Sequence, residues 1–374
     1  MKDLHIGVIG FGFMGRAHTL GYQTIPLFYQ DLPFRIHLRA VCAAHPERAE
    51  AARDRHGFSY AAGDLHTVLE DPEIDCVSIC LPTGLHAEAA EAALRAGKHV
   101  YCDKPLAADC GEARRLAQLA EESGVTAQVA FQQRCSTGVM RARQLLEEGR
   151  LGRILSFRAC YLHSGGVDAS RPAGWRFDPA GGGVLFDLGS HVLDLISWLL
   201  GRFSAVSAAC RTLYPQRPGP DGTPVEITTD DAVWVLARMQ DGAVGTIEAS
   251  KLATGTTDEL RLEIHGDRGA LRYNSLEPGR LYYYDAAAPA DPIGGLQGFT
   301  AIECGGHYPA PGGGFPGGKF GTSFLRGHIH SLYTFLDNAA AGRPGTPSFA
   351  DGAYIQSVME RILRSHQTGQ WETL

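Results

Sequence analysis

Short apolar runs alternate with amphipathic stretches through the first third of the chain. His5-Ile6-Gly7-Val8-Ile9 reads as a buried strand, and a helical pattern begins around Gly15-Arg16-Ala17-His18. Strand signals recur at Leu38 to Cys42, Asp75 to Leu81, His99 to Cys102 and Thr126 to Phe131. Helical patterns fall between them at Pro46 to His56, Ala87 to Ala96 and Arg114 to Ser123. Such alternation predicts an α/β unit with a doubly wound parallel sheet.

Beyond Phe131 the pattern changes. A helix near Gly138 to Glu148 gives way to period-two alternation at Ile154 to Tyr161, then near 205–213, 231–238, 243–250, 259–264 and 269–273. Asp241-Gly242, Gly266-Asp267 and Arg268-Gly269 supply turns between several of these strands. The pattern predicts a C-terminal α+β domain with a largely antiparallel open sheet. Ala286 to Gly321, rich in Gly and Pro, reads as a long surface loop bordering the site, and helices follow near Phe324 to Ala340 and Gly352 to Ser365. The expected domains are therefore 1–131 and 132–374, since 374 residues exceed one ordinary core.

Composition narrows the class. The chain is 44% hydrophobic and 20% charged, as soluble globular proteins are. A net charge of −7 argues against nucleic acid or an anionic membrane as partner. No apolar run approaches the ~18 residues of a membrane span. A strand starting within Met1-Lys2-Asp3-Leu4-His5 leaves no room for a signal peptide, which points to the cytoplasm. The nine cysteines include no Cys-x-x-Cys pair and read as buried reduced thiols, so no metal site is expected.

Gly10-Phe11-Gly12-Phe13-Met14-Gly15 stands between a strand and a helix, the context in which glycines let backbone amides approach a pyrophosphate. A Rossmann-type dinucleotide site is the expectation. The acid that would hold the adenosine ribose is missing, because the second strand ends in Ala43-Ala44-His45 and Asp31 reads as a loop residue. Nothing there repels a 2′-phosphate, and His45 or Arg48 could approach one, so both NAD and NADP are expected, with a lean to NADP. At Cys102-Asp103-Lys104-Pro105, a strand stops on an acid, a lysine and a proline. The carboxyl end of a parallel strand is where ligands bind, so Lys104 is placed to meet a substrate oxygen.

In the second half, Gly181-Gly182-Gly183 precedes Val184-Leu185-Phe186-Asp187-Leu188-Gly189-Ser190-His191. Asp187 and His191 share a face if the segment is helical, and Asp194 lies close to that face. Histidine accepts protons near neutral pH, and a carboxylate beside it can raise its basicity or fix substrate hydroxyls. A capped helix with a structural histidine, or an Asp–His metal pair, would give the same spacing.

Taken in order, these segments resemble the glucose–fructose oxidoreductase/inositol dehydrogenase (Gfo/Idh/MocA) family over almost the whole chain. The carriers are Gly10 to Gly15, Leu81-Pro82-Thr83-Gly84-Leu85-His86, Gly97 to Pro105, Trp175-Arg176, Gly181 to His191 and Pro347 to Gly352. Gly12 to His18 and Gly152 to Arg158 are most similar to the levoglucosan dehydrogenase-like sugar dehydrogenases of that family. The resemblance implies that Lys104 is the lysine of a Glu-Lys-Pro motif, with Asp103 in place of glutamate. It implies that Asp187 binds substrate, that His191 is the catalytic base, and that Pro82, Thr83 and His86 line the nicotinamide side. Leu81, Asp103, Lys104, Gln132, Trp175 and Arg176 join the implied cofactor contacts. Gln132-Gln133-Arg134-Cys135 replaces a commoner Asn-x-Arg-Arg. The function implied is NAD(P)-dependent hydride transfer from a secondary hydroxyl of a sugar, anhydrosugar or cyclitol, by a homodimer or homotetramer. A glycosidase that oxidises transiently and a non-catalytic dinucleotide-binding regulator are the alternatives.

Overall fold

A computed structural model describes residues 1–312, 315 and 324–374. Its first unit opens with β1 (Lys2–Ile9), α1 (Phe13–Phe28), β2 (Phe34–Cys42), α2 (Pro46–His56), β3 (Tyr60–Ala62), α3 (Leu65–Leu69) and β4 (Cys76–Ile79). It continues with α4 (His86–Arg95), β5 (His99–Cys102), α5 (Cys110–Ser123) and β6 (Ala127–Val129). Among the described residues the strands form one six-stranded sheet in the order β3-β2-β1-β4-β5-β6, every pair parallel. Strand order reverses direction between β1 and β4, which is the ligand-binding switch point of doubly wound sheets. The central strands are apolar on both faces because helices cover both, and Leu4, Ile6, Val8 and Val100 are fully buried. α5 starts where the Asp109 carboxylate accepts the Glu112 N–H at 2.9 Å, a side-chain cap.

The second unit holds α6 (Thr137–Glu147), β7 (Ile154–Leu162), α7 (Ser190–Leu200), β8 (Phe203–Arg211), β9 (Gln216–Pro218), β10 (Pro224–Glu226) and β11 (Ala232–Met239). β12 (Val244–Ser250), β13 (Glu259–Gly266), β14 (Gly269–Asn274), β15 (Arg280–Asp285) and β16 (Thr300–Glu303) follow. The chain then forms α8 (Phe324–Ala341), α9 (Phe349–Thr368) and β17 (Glu372–Thr373). Among the described residues a nine-stranded sheet runs β16-β15-β14-β13-β7-β12-β11-β8-β17. All its pairs are antiparallel except β12 with β7. Along β11, Val233, Val235 and Ala237 are buried while Trp234, Leu236 and Arg238 are exposed, the period-two pattern of a sheet covered on one face.

Two expectations change. β16 interrupts the segment 286–321 that reads as loop; four residues between turns are too few for alternation to register. The rest of that segment at 313–314 and 316–321 lies outside the described residues. The second change concerns α8, which the chain order assigns to 132–374. By contact it belongs to the first unit, which comprises Met1–Cys135, described residues of 308–315, and Phe324–Gln356. The cause is packing. Leu332, Phe335 and Leu336 of α8 are fully buried in the same core as Tyr22 and Ile25 of α1. Tyr333 stacks on Tyr29 with centroids 3.9 Å apart, and Arg326 donates to the Tyr29 hydroxyl at 2.8 Å. The second unit is Ser136–His307 and Ser357–Leu374, with the described residues of neither unit forming a continuous stretch.

Candidate active-site residues

In the first unit the glycine loop leaves β1 at the switch point. Gly10 has φ of +92°, and a Cβ there would lie 2.5 Å from the Cys80 carbonyl oxygen. A Cβ on Gly15 would lie 2.1 Å from the Gly10 carbonyl oxygen, whereas one on Gly12 meets nothing within 4 Å. Gly12 caps α1 without a side-chain bond, and the first turn carries no acid. The open ground over Gly12 and the uncapped, acid-free helix start form a cradle that fits a dinucleotide pyrophosphate. Of the neighbours, Phe13 is 62% exposed, while Met14 is half-buried and Phe11 packs on Phe58 and His56. Ala43 is buried at the end of β2, and His45 and Arg48 are exposed at the start of α2.

The loops after β4 and β5 are tied by His86, which is 1% exposed. Its Nδ1 lies 2.8 Å from the Pro105 carbonyl oxygen and its Nε2 2.9 Å from that of Leu81. His86 thus reaches carbonyls of both loops, Thr83 beside it is buried, and Pro82 and Leu81 are half-buried. At the end of β5, Lys104 is half-buried and its backbone N–H donates to the Asp103 carboxylate at 2.9 Å. Gln132 is 5% exposed in a 3-10 turn that packs on α8. His18 lies behind this region, its Nδ1 3.2 Å from Ser78 Oγ, and burial pushes its imidazole down to about 4.

In the second unit Leu185–Gly189 forms a π-helical turn that runs into α7, a local widening that often marks functional sites. Asp187 lies within that turn and His191 follows it on α7. The turn is anchored where the Leu185 N–H donates to Asp230 Oδ2 at 2.8 Å. His191 is 4% exposed, with its ring 5.8 Å from that of Tyr161, and Asp194 is fully buried. Two cations converge on Asp187 Oδ2, Lys251 Nζ at 3.0 Å and Arg176 Nε at 3.4 Å. The Arg176 guanidinium also lies 4.4 Å from the ring centre of Trp175, which is 43% exposed. The sequence reading brings Trp175 and Arg176 to the cofactor; the structure sets Arg176 against Asp187.

Lys251 and Asp230 are absent from the sequence reading. The signal for both is position: each is a charged residue standing just outside an alternating strand, after β12 and before β11. Among the described residues, no group of three or more His, Cys, Asp or Glu side chains is assembled for a metal, and none of the nine cysteines is joined in a disulfide. No helix among them is long and apolar enough to cross a membrane.

A parallel sheet with a glycine cradle at its switch point, joined in sequence to an α+β unit carrying an Asp–His helix, defines a two-domain dinucleotide-dependent oxidoreductase. The sequence comparisons carry the assignment further. Residues 4–131 match the oxidoreductase family with an NAD-binding Rossmann fold, and residues 139–272 match the GFO/IDH/MocA C-terminal domain. The chain belongs to the Gfo/Idh/MocA oxidoreductase family. It is 35% identical over 99% of its length to levoglucosan dehydrogenase of Pseudarthrobacter phenanthrenivorans, 98% of which is covered. It is 25% identical to myo-inositol 2-dehydrogenase of Thermotoga maritima, covering 93% of this chain and 92% of the relative. A solved levoglucosan dehydrogenase in complex with NADH and levoglucosan superposes with a TM-score of 0.95 over 100% of this chain and 99% of that one, at 35% identity.

Proposed function

We propose that the protein is an NAD(P)-dependent dehydrogenase acting on a secondary hydroxyl of a sugar, anhydrosugar or cyclitol. The observation that carries this reading is the chain-long similarity to a levoglucosan dehydrogenase, with Lys104, Asp187 and His191 standing in the segments that resemble the family's motifs. The nicotinamide, when bound, supplies the hydride chemistry. Around it, the amides of Gly10 to Gly15 hold the pyrophosphate, and the segments Leu81 to His86 and Asp103-Lys104 line the nicotinamide side. The family resemblance counts Gln132, Trp175 and Arg176 among the cofactor contacts as well. His191 takes the hydroxyl proton, Lys104 hydrogen-bonds the reacting oxygen, and Asp187 fixes a neighbouring hydroxyl.

Both cofactors are accepted, with a lean to NADP, because the end of β2 offers Ala43 and no acid, while His45 and Arg48 stand exposed nearby. Copies associate through the open face of the nine-stranded sheet into a dimer or tetramer. There Trp234 and Leu236 are 43% and 50% exposed beside a shallow cavity of about 610 Å³ lined also by Arg158, Glu248 and Arg261. The nine thiols suit a reducing cytoplasm.

A screen of sugars, anhydrosugars and cyclitols with each cofactor, read by nicotinamide absorbance, tests the activity. Net reduction with at least one of them is expected. Glycoside cleavage without net reduction would favour the transient-oxidation hydrolase instead. Light scattering at micromolar concentration tests assembly, where a monomer refutes it.

A further inference from the structure

The Asp187 carboxylate has an unusual anchor. Lys251 directly follows β12, and its backbone is held on both sides: its N–H donates to the Asp231 carbonyl at 2.9 Å, and its carbonyl accepts the Gly166 N–H at 2.8 Å. Its side chain is only 12% exposed and ends 3.0 Å from Asp187 Oδ2. A surface lysine loses rotamer entropy to hold one ion pair, which is why most such pairs contribute little. Burial of the Lys251 stem and fixation of its backbone remove much of that freedom beforehand. Arg176, the other cation, has a side chain 43% exposed and lies farther from the same oxygen at 3.4 Å. Solvent screens it more.

Asp230, just before β11, holds the start of the π-helical turn, its Oδ2 accepting the Leu185 N–H at 2.8 Å.

 Burial pushes the Asp230 carboxyl up, and the Lys251 ammonium pulls against that shift, so the field of this one lysine reaches both acids.

We propose that Lys251 is a positioning residue for Asp187, holding its carboxylate ionised and aimed so that it can accept substrate hydroxyls. The proposal rests on the reading of Asp187 as a substrate-binding residue. An opposite charge 3.0 Å away favours the ionised carboxylate, the form that accepts hydrogen bonds from hydroxyls. Lys251 from the end of β12 and Arg176 from the 175–177 turn lie against Asp187 Oδ2, while Asp230, just before β11, holds the turn that carries Asp187 and His191 follows on α7.

The test compares Lys251→Met and Lys251→Arg with the unmodified protein, on a sugar that it oxidises. Lys251→Met should raise KM about tenfold with kcat within about threefold, and move the acid limb of kcat/KM up by about one pH unit. Lys251→Arg should restore both, which a purely structural role in packing would not require. Unchanged KM and an unchanged acid limb in Lys251→Met overturn the proposal. A carboxyl-carbon NMR titration, with the Asp187 signal assigned by its loss in Asp187→Asn, gives a readout independent of turnover. An upward move of that titration in Lys251→Met supports the proposal even if no sugar is oxidised, a result that would sink the dehydrogenase reading alone. A titration that stays in place overturns the role of Lys251 whatever the substrate.

Discussion

Replacing Gly12 with alanine separates the two duties of a glycine-rich loop. The added methyl meets no protein atom within 4 Å, and Gly12 has a negative φ of −82°. The fold should therefore tolerate it, with stability changed by no more than about 1 kcal/mol. The same open space is what a pyrophosphate needs to come against the loop amides. A methyl there displaces it from one charge-assisted hydrogen bond, worth about 1.5–3 kcal/mol. At about 1.4 kcal/mol per decade, cofactor affinity should fall by roughly 10- to 150-fold. Gly15→Ala is the contrasting case, because its methyl would sit 2.1 Å from the Gly10 carbonyl oxygen and must move backbone. It should lower the melting temperature as well as the affinity. Titration by nicotinamide fluorescence and thermal unfolding without cofactor measure the two effects. Wild-type affinity in Gly12→Ala, or a loss of affinity matched by a loss of stability, would refute the reasoning.

Other outcomes follow from single contacts. Ala43→Asp supplies the missing acid at the end of β2 and should shift the kcat/KM ratio toward NAD by about tenfold or more, from a hydrogen bond of about 1.5–3 kcal/mol, as steady-state kinetics with both cofactors would show. His86→Phe removes the ring that reaches the Pro105 and Leu81 carbonyls; a neutral imidazole donates to one of them, so urea unfolding should register a loss of about 1–3 kcal/mol. His191→Ala should lower turnover by roughly 10²–10⁴ while cofactor titration stays near normal, since the glycine loop belongs to the other unit. Acid sensitivity should come partly from His18, whose ordinary value of 6.5 falls to about 4 in the fold. Its contribution is whole above the unfolded value and is lost as pH drops toward the folded one, so melting temperature in His18→Leu should depend less steeply on pH across that window.

Periodicity located the elements that are long or buried on both sides. α2 begins and ends where its pattern does, and β7 differs by one residue, because Ala- and Glu-rich turns and alternating Phe and Tyr leave strong signals. β3, β9, β10 and β16 have three or four residues each and leave none. Motif context singled out Lys104, Asp187 and His191 as candidates. It did not reveal the anchors of Asp187, because Lys251 and Asp230 are single charges at strand ends whose meaning depends on sheet register. The role of α8 was hidden for a related reason: its apolar face is plain in the sequence, but the partner of that face is α1, some three hundred residues earlier.

That return of α8 to the first core bears on how such a protein can be rebuilt by gene rearrangement. A fragment ending at residue 135 would bare Tyr22, Ile25 and Tyr29, which α8 keeps at 2% exposure or less. One crossover point after the parallel sheet would graft a foreign α8 onto a native α1, where Gly21 leaves space for Leu332 and little else. Exchange of the cofactor-binding half between relatives therefore needs three joints, after Cys135, before Phe324 and after Gln356, with the α8 segment travelling alongside the N-terminal stretch. The inherited unit is a discontinuous one, and a chimera that respects only linear order should aggregate rather than fold.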